Sequence, residues 1–169
     1  EGQKEAEEFF RYFLWCVEQD KYERFPEVPE AKPLVDTTVP EGVKHTLDKK
    51  VVIVTDCEDD NKALNDMIAR FCKVFRGSTE VVNIREYPLK DGCLGCFNCA
   101  TDGKCIYKDG FDEYLRTNIQ TKDAIVYACT IKDHSMGARF KMYDDRQFCN
   151  GHRTVTMGMP VGYLVSGEY

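Results

Sequence analysis

After Lys50 the chain reads Val51-Val52-Ile53-Val54-Thr55, five consecutive β-branched residues. An unbroken apolar run of this length predicts a strand buried on both faces, the habit of parallel sheets. Such a strand needs helices above and below it, and the chain supplies them. Over 60–76, Leu64, Met67, Ile68, Phe71, Cys72 and Phe75 recur along one helical face, and Gly77 is placed to end the helix in a left-handed conformation. Thr79 to Ile84 reads as a second strand, Phe111 to Ile119 as a short helix and Ala124 to Cys129 as a third strand. Ser135 to Phe148 reads as a helix burying Met136, Phe140, Tyr143 and Phe148, and Val161 to Val165 as a fourth strand. This alternation predicts an α/β domain, a parallel sheet with helices on both faces joined by right-handed crossovers.

Ahead of it, residues 3–24 form an amphipathic pattern with Phe9, Phe10, Phe13, Leu14 and Val17 on one face. Pro26, Pro29, Pro33 and Pro40 then break any helical period. The expected organisation is an N-terminal helix and linker over 1–48, either the end of a preceding domain or a decoration of this one, and the α/β domain over 49–169. The formal net charge of −6 and the lack of a basic stripe argue against a nucleic-acid partner. No apolar run nears the roughly 20 residues that span a bilayer, so no membrane partner is expected either. Nine cysteines, an odd and clustered set, favour reduced thiols in a cytoplasmic setting over a disulfide framework.

Four of those thiols, Cys93, Cys96, Cys99 and Cys105, fall within thirteen residues as C-x2-C-x2-C-x5-C, in a loop spanning 85–110. A loop that long between regular elements is usually functional. Thiolates are the ligands of iron–sulfur clusters, and three at successive short spacings let one loop wrap a cluster while the fourth closes the cage. Tetrahedral zinc also takes four thiolates, but its sites usually pair two separate knuckles; loop cysteines that bind nothing are the third reading. Thiol–disulfide exchange by Cys93 and Cys96 is disfavoured by a Gly-flanked loop in place of a helix N-terminus. Cys16, Cys57, Cys72, Cys129 and Cys149 read as packing residues. The loops at 55–61, 85–110, 130–135 and 166–169 all leave the carboxyl edge of the sheet, where ligands of such sheets bind.

From Lys50 to Tyr169 the chain resembles the flavodoxin-like NAD(P)H-dependent FMN reductases, and within them the iron–sulfur flavoproteins. Cys93-Leu94-Gly95-Cys96-Phe97-Asn98-Cys99 and Gly103-Lys104-Cys105-Ile106-Tyr107-Lys108-Asp109 look like that family's cysteine loop and acidic turn. Asp123-Ala124-Ile125-Val126 looks like its next strand, and Lys141-Met142-Tyr143-Asp144-Asp145-Arg146 like its lysine and Asp-Arg segment. The resemblance implies a flavodoxin-like fold, FMN at the strand edge and a 4Fe–4S cluster near it, held by Cys93, Cys96, Cys99 and Cys105. The flavin contacts would come from Thr55, Asn61, Lys62, Thr130, Ile131, Lys132, Asp133, His134, Ser135, Ser166 and Gly167. It implies an oxidoreductase passing electrons between a reduced donor, NAD(P)H or a ferredoxin-like protein, the cluster and FMN, in a homo-oligomer.

Three features depart from that pattern. The loop after the first strand carries Asp56, Glu58, Asp59 and Asp60 where the family places phosphate-binding residues, and Lys132 stands where it has an aromatic residue. The pattern also stops after the fourth strand, so a sheet truncated there is expected. These departures suit a second reading, a non-catalytic flavodoxin-like domain that has lost FMN and serves assembly or binding.

Overall fold

The computed structural model describes residues 2–21, 47–132, 134–150 and 155–167, apart from the side chains at 132 and 150. The chain divides into two units, Glu1–Thr37 and Thr38–Tyr169. In the first, helix α1 spans Gly2–Glu18. It ends six residues before the expected boundary because Asp20 adopts φ 50°. The N–H of Lys21 then reaches the Cys16 carbonyl at 2.8 Å and that of Asp20 the Val17 carbonyl at 3.3 Å, a Schellman closure. The aromatic face carries Phe9 stacked on Phe13 with ring centroids 6.3 Å apart. The four linker prolines lie outside the described residues.

In the second unit β1 (Lys50–Thr55), α2 (Lys62–Val74) and β2 (Ser78–Asn83) come first. Helix α3 (Phe111–Tyr114) runs into a π turn, Leu115–Ile119, and leads to β3 (Ala124–Lys132). A two-residue strand β4 (Ser135–Met136), helix α4 (Ala138–Arg146), a 3-10 turn (Gln147–Asn150) and β5 (Val161–Gly167) complete the described elements. The parallel strands lie in the order β2-β1-β3-β5, and β4 pairs antiparallel with the end of β3. This is an α/β fold with a mixed, mostly parallel sheet, and its order matches the first four positions of a flavodoxin-like sheet.

Alternation along β1 divides the core. Val52 and Val54 pack on one face with Phe111, Leu115, Phe140 and Tyr143, under α3 and α4. Val51 and Ile53 pack on the other with Leu64 and Ile68 of α2. A period of two therefore accounts for helices on both faces.

Three local expectations are corrected. Helix α2 is closed by Phe75 in extended conformation, its N–H reaching the Phe71 carbonyl. Gly77 serves another purpose there: a Cβ on it would lie 2.3 Å from the Lys49 carbonyl oxygen. Strand β3 continues through the β-branched pair Thr130-Ile131 to Lys132, so α4 begins at Ala138 and not at Ser135. Strand β5 extends through Ser166 and Gly167, which pair with Thr130 and Ile131. Gly167 has φ 135°, and a Cβ there would meet the Ile131 carbonyl oxygen at 2.4 Å, a close approach that glycine permits.

Candidate functional site

One cleft opens at the carboxyl edge of the sheet, where β1 and β3 end, and a second is formed by the 85–110 loop against the last residues of α4 and the turn after it. The first holds about 280 Å³ and is lined by Asp56, Glu58, Asn61, Arg85, Thr130 and the Gly137–Arg139 segment. Its volume sits just under the roughly 300–1,000 Å³ usual for small-molecule sites. Asn61 organises it. The Asn61 carboxamide oxygen accepts the Leu64 N–H at 3.1 Å and caps α2, and its amide nitrogen donates to the Thr130 hydroxyl at 2.7 Å. One side chain thereby ties the start of α2 to the end of β3.

The acids of the 56–60 loop do not all face this cleft as bare charges. Arg85 donates from Nε to the Asp56 carbonyl at 2.6 Å and pairs with the Glu58 carboxylate. Asp59 and Asp60 are exposed. Arg139 donates to the carbonyls of Ile84, Tyr87 and Leu89, fixing the start of the long loop. Gly137 lets the chain pass close to Asp56, since a Cβ there would lie 2.9 Å from Oδ2. Burial pushes the Cys57 thiol up, and Asp56 adds to the shift.

Of the flavin contacts expected from the sequence, Asn61 and Thr130 line this cleft. Thr55 is buried and its hydroxyl accepts the Cys57 N–H at 3.1 Å. Lys62 is exposed at the start of α2, and His134 and Ser135 are exposed at the β3–β4 turn, where His134 has φ 62°. Ile131, Ser166 and Gly167 belong to the β3–β5 pairing. Asp133 and the side chain of Lys132 lie outside the described residues. Arg85 and Arg139 were missed by the sequence reading; only tertiary contact brings them to the strand edge.

The second cleft is lined by Cys93, Leu94, Cys96, Phe97, Cys99, Cys105, Ile106, Tyr107, Arg146, Phe148 and Cys149, so all four cysteines of the motif face one largely apolar space. Left-handed turns at Gly95 (φ 65°) and Phe97 (φ 56°) fold the loop back on itself, and the Gly95 N–H lies 3.4 Å from Cys93 Sγ. Phe97 meets Phe148 edge-on at 5.6 Å. Cys93 and Cys96 are exposed, and Cys99 and Cys149 are buried. Burial raises the Cys99 thiol, and it pushes Cys149 up to about 12, with Asp112, Cys105 and Cys99 adding. Cys149, a fifth thiol in this cleft, read from the sequence as a packing residue.

The loop is held to the body by a buried ion pair. Arg146 forks onto Asp109, with its two terminal nitrogens 2.9 and 2.8 Å from the carboxylate oxygens, and also reaches the Asp91 carbonyl at 3.0 Å. Its guanidinium carbon stands 4.7 Å from the Tyr107 ring centre and 5.2 Å from that of Phe111. Asp109 further accepts the N–H groups of Lys90 and Phe111, both at 3.2 Å. Burial works to raise the Asp109 carboxyl, yet the Arg146 fork and those N–H bonds outweigh it and hold the group at about 2.

Among the described residues, no three cysteine, histidine or carboxylate side chains stand close enough to share one metal ion. The donor set nevertheless fits a thiolate-bound cluster by its chemistry: four sulfurs in an apolar wall. One observation adds to the fit. Arg146 Nε is buried and meets no acceptor among the described residues, and sulfur is an acceptor available in that wall.

No protein-family model matches the chain, and no solved structure does. Over 54 residues, 32% of its length, the chain is 33% identical to an iron–sulfur flavoprotein of Clostridioides difficile (strain 630). The matched stretch covers 24% of that protein, so the likeness is partial. No described helix is long and apolar enough to cross a membrane.

Proposed function

We propose that this chain is a redox protein of the iron–sulfur flavoprotein type, transferring electrons between a reduced donor, a 4Fe–4S cluster and FMN. The observation that carries the reading is that Cys93, Cys96, Cys99 and Cys105 line one largely apolar cleft. The partial likeness to a named iron–sulfur flavoprotein supports it. Cys93, Cys96, Cys99 and Cys105 are the proposed ligands, and the N–H of Gly95 is a donor toward sulfur. Once bound, the cluster supplies one-electron steps and the flavin one- or two-electron steps.

The chain's own residues position and shield. Asn61 and Thr130 hold the start of α2 to the end of β3 at the proposed flavin cleft. Arg85, by occupying the Glu58 carboxylate, reduces the repulsion that an anionic phosphate would meet there. Leu94, Phe97, Ile106 and Phe148 supply the apolar part of the wall beside the sulfurs. NAD(P)H or a ferredoxin-like protein is the proposed donor, and the proposed working form is a homo-oligomer.

The test is anaerobic purification with iron, acid-labile sulfide and released FMN measured beside the visible spectrum. About four irons and four sulfides per chain are expected for this cluster type, lost on Cys96→Ala or Cys99→Ala. A colourless protein lacking iron and flavin would overturn the reading in favour of a non-catalytic domain, which the buried Asp56 at the proposed flavin cleft would then explain.

A further inference from the structure

Arg146 is 1% exposed and sits in the wall of the cysteine cleft. Its terminal nitrogens are committed to Asp109 and to the Asp91 carbonyl. Of its five N–H donors, the Nε–H is buried, and among the described residues nothing accepts from it. An unmet buried donor costs more on a charged group than on a neutral one, so such groups are rare without a reason. The cleft supplies one. Apart from the Tyr107 hydroxyl, the side-chain acceptors lining it are the sulfurs of Cys93, Cys96, Cys99, Cys105 and Cys149.

The charges point the same way. Four thiolates outweigh the positive charge of a cluster core, and each added electron makes the assembly more negative. A fixed guanidinium in a poorly solvated wall stabilises the reduced form more than the oxidised one. Hydrogen bonds to the sulfurs act in the same direction. Arginine suits the position because it stays charged when buried and its planar group can serve Asp109 with one edge while Nε–H faces elsewhere.

We propose that Arg146 is the counter-ion of the cluster: its Nε–H donates to a cluster or cysteine sulfur, and its charge sets the reduction potential. This rests on the cluster reading above and assigns to one side chain the control of the site's potential. Asp109 then has a second role beyond docking the loop, because its carboxylate offsets part of the charge that the cluster feels.

Three measurements on the anaerobically purified, cluster-loaded chain test this. Wild type grown with guanidino-15N arginine and reduced with dithionite should show 15N hyperfine coupling in pulsed EPR of the cluster. R146K, which keeps a charge but has no Nε–H, should load iron and sulfide and have its reduction equilibrium lowered about tenfold, or about 59 mV for a one-electron couple. D109N should shift the equilibrium the opposite way. A reduced wild-type cluster without guanidino 15N coupling overturns the proposal, including the case where neither variant folds. Loaded variants that both titrate within about twofold of wild type also overturn it while leaving the cluster reading intact. Wild type devoid of iron and sulfide removes the cluster reading itself, and this inference with it.

Discussion

Replacing Asp109 by Asn tests the buried ion pair through its dependence on pH. The carboxyl lies at about 2 in the folded chain, below its ordinary 3.8. A depressed carboxyl stabilises the fold fully above the unfolded value and ceases to do so as pH falls through the folded one. From 3.8 down to about 2, at about 1.36 kcal/mol per pH unit, this contribution comes to about 2.4 kcal/mol. Both partners are nearly out of solvent, Arg146 at 1% and Asp109 at 8%, so screening removes little of it. At pH 7 the Asp109→Asn chain leaves a buried guanidinium without its counter-charge, a loss of about 3–5 kcal/mol by analogy with other broken buried pairs. The assay is urea denaturation of cluster-free wild type and variant, followed by circular dichroism between pH 7 and pH 2. Their stability difference should hold steady down to about pH 5 and then shrink by about 2 kcal/mol by pH 2, the rest of the roughly 2.4 kcal/mol being lost below it. A difference that stays constant across that range would show that Asp109 is not held ionised by Arg146, and the account of loop docking would fall.

Other outcomes follow from single contacts. Asn61→Ala should cost about 1 kcal/mol for the lost α2 cap, read as a lower thermal midpoint; Asn61→Asp should restore the cap without the donor to Thr130. Gly167→Ala should destabilise by about 1–3 kcal/mol, since it places a Cβ against Ile131 at a backbone angle that side chains rarely adopt; denaturant midpoints would report it. Lys141→Ala removes an exposed pair with Asp145 one helical turn away and should leave the thermal midpoint at the wild-type value. On the functional side, Arg85→Ala should weaken FMN retention during gel filtration, because the Glu58 carboxylate then faces the cleft unpaired by that guanidinium.

The β-branched run at 51–55 and the face of α2 were legible because burial on two sides leaves a periodic imprint. The cysteine loop stood out because its four thiols recur at short spacings that are local in sequence. The clefts themselves were less legible. Arg85, Arg139 and Cys149 reach them through tertiary packing, and no local period marks such residues. Arg146 and Asp109 stood inside segments that carried the family likeness, yet their pairing across 37 positions has no local sign. The ends of β3 and β5 were misjudged for a related reason: Thr130, Ile131, Ser166 and Gly167 look like loop residues until each is seen to be the other's partner.

Helix α4 carries Arg139 in its first turn and Arg146 at its last residue, about 10 Å apart along the axis at 1.5 Å per residue. The first clasps the chain at 84–89 and the second clasps it at 91 and 109. The cysteine segment between is a bight with both ends tied to one post. Opening it requires releasing a guanidinium of that helix and the hold of Arg116 on the Gly103 carbonyl and of Asp112 on the Cys105 N–H, while the β1–β3 ladder stays intact. A segment of that kind can unlatch as a separate cooperative unit, so inorganic material could be installed or repaired after the sheet has folded. Amide exchange would register this as earlier loss of protection across 92–108 than across 51–55.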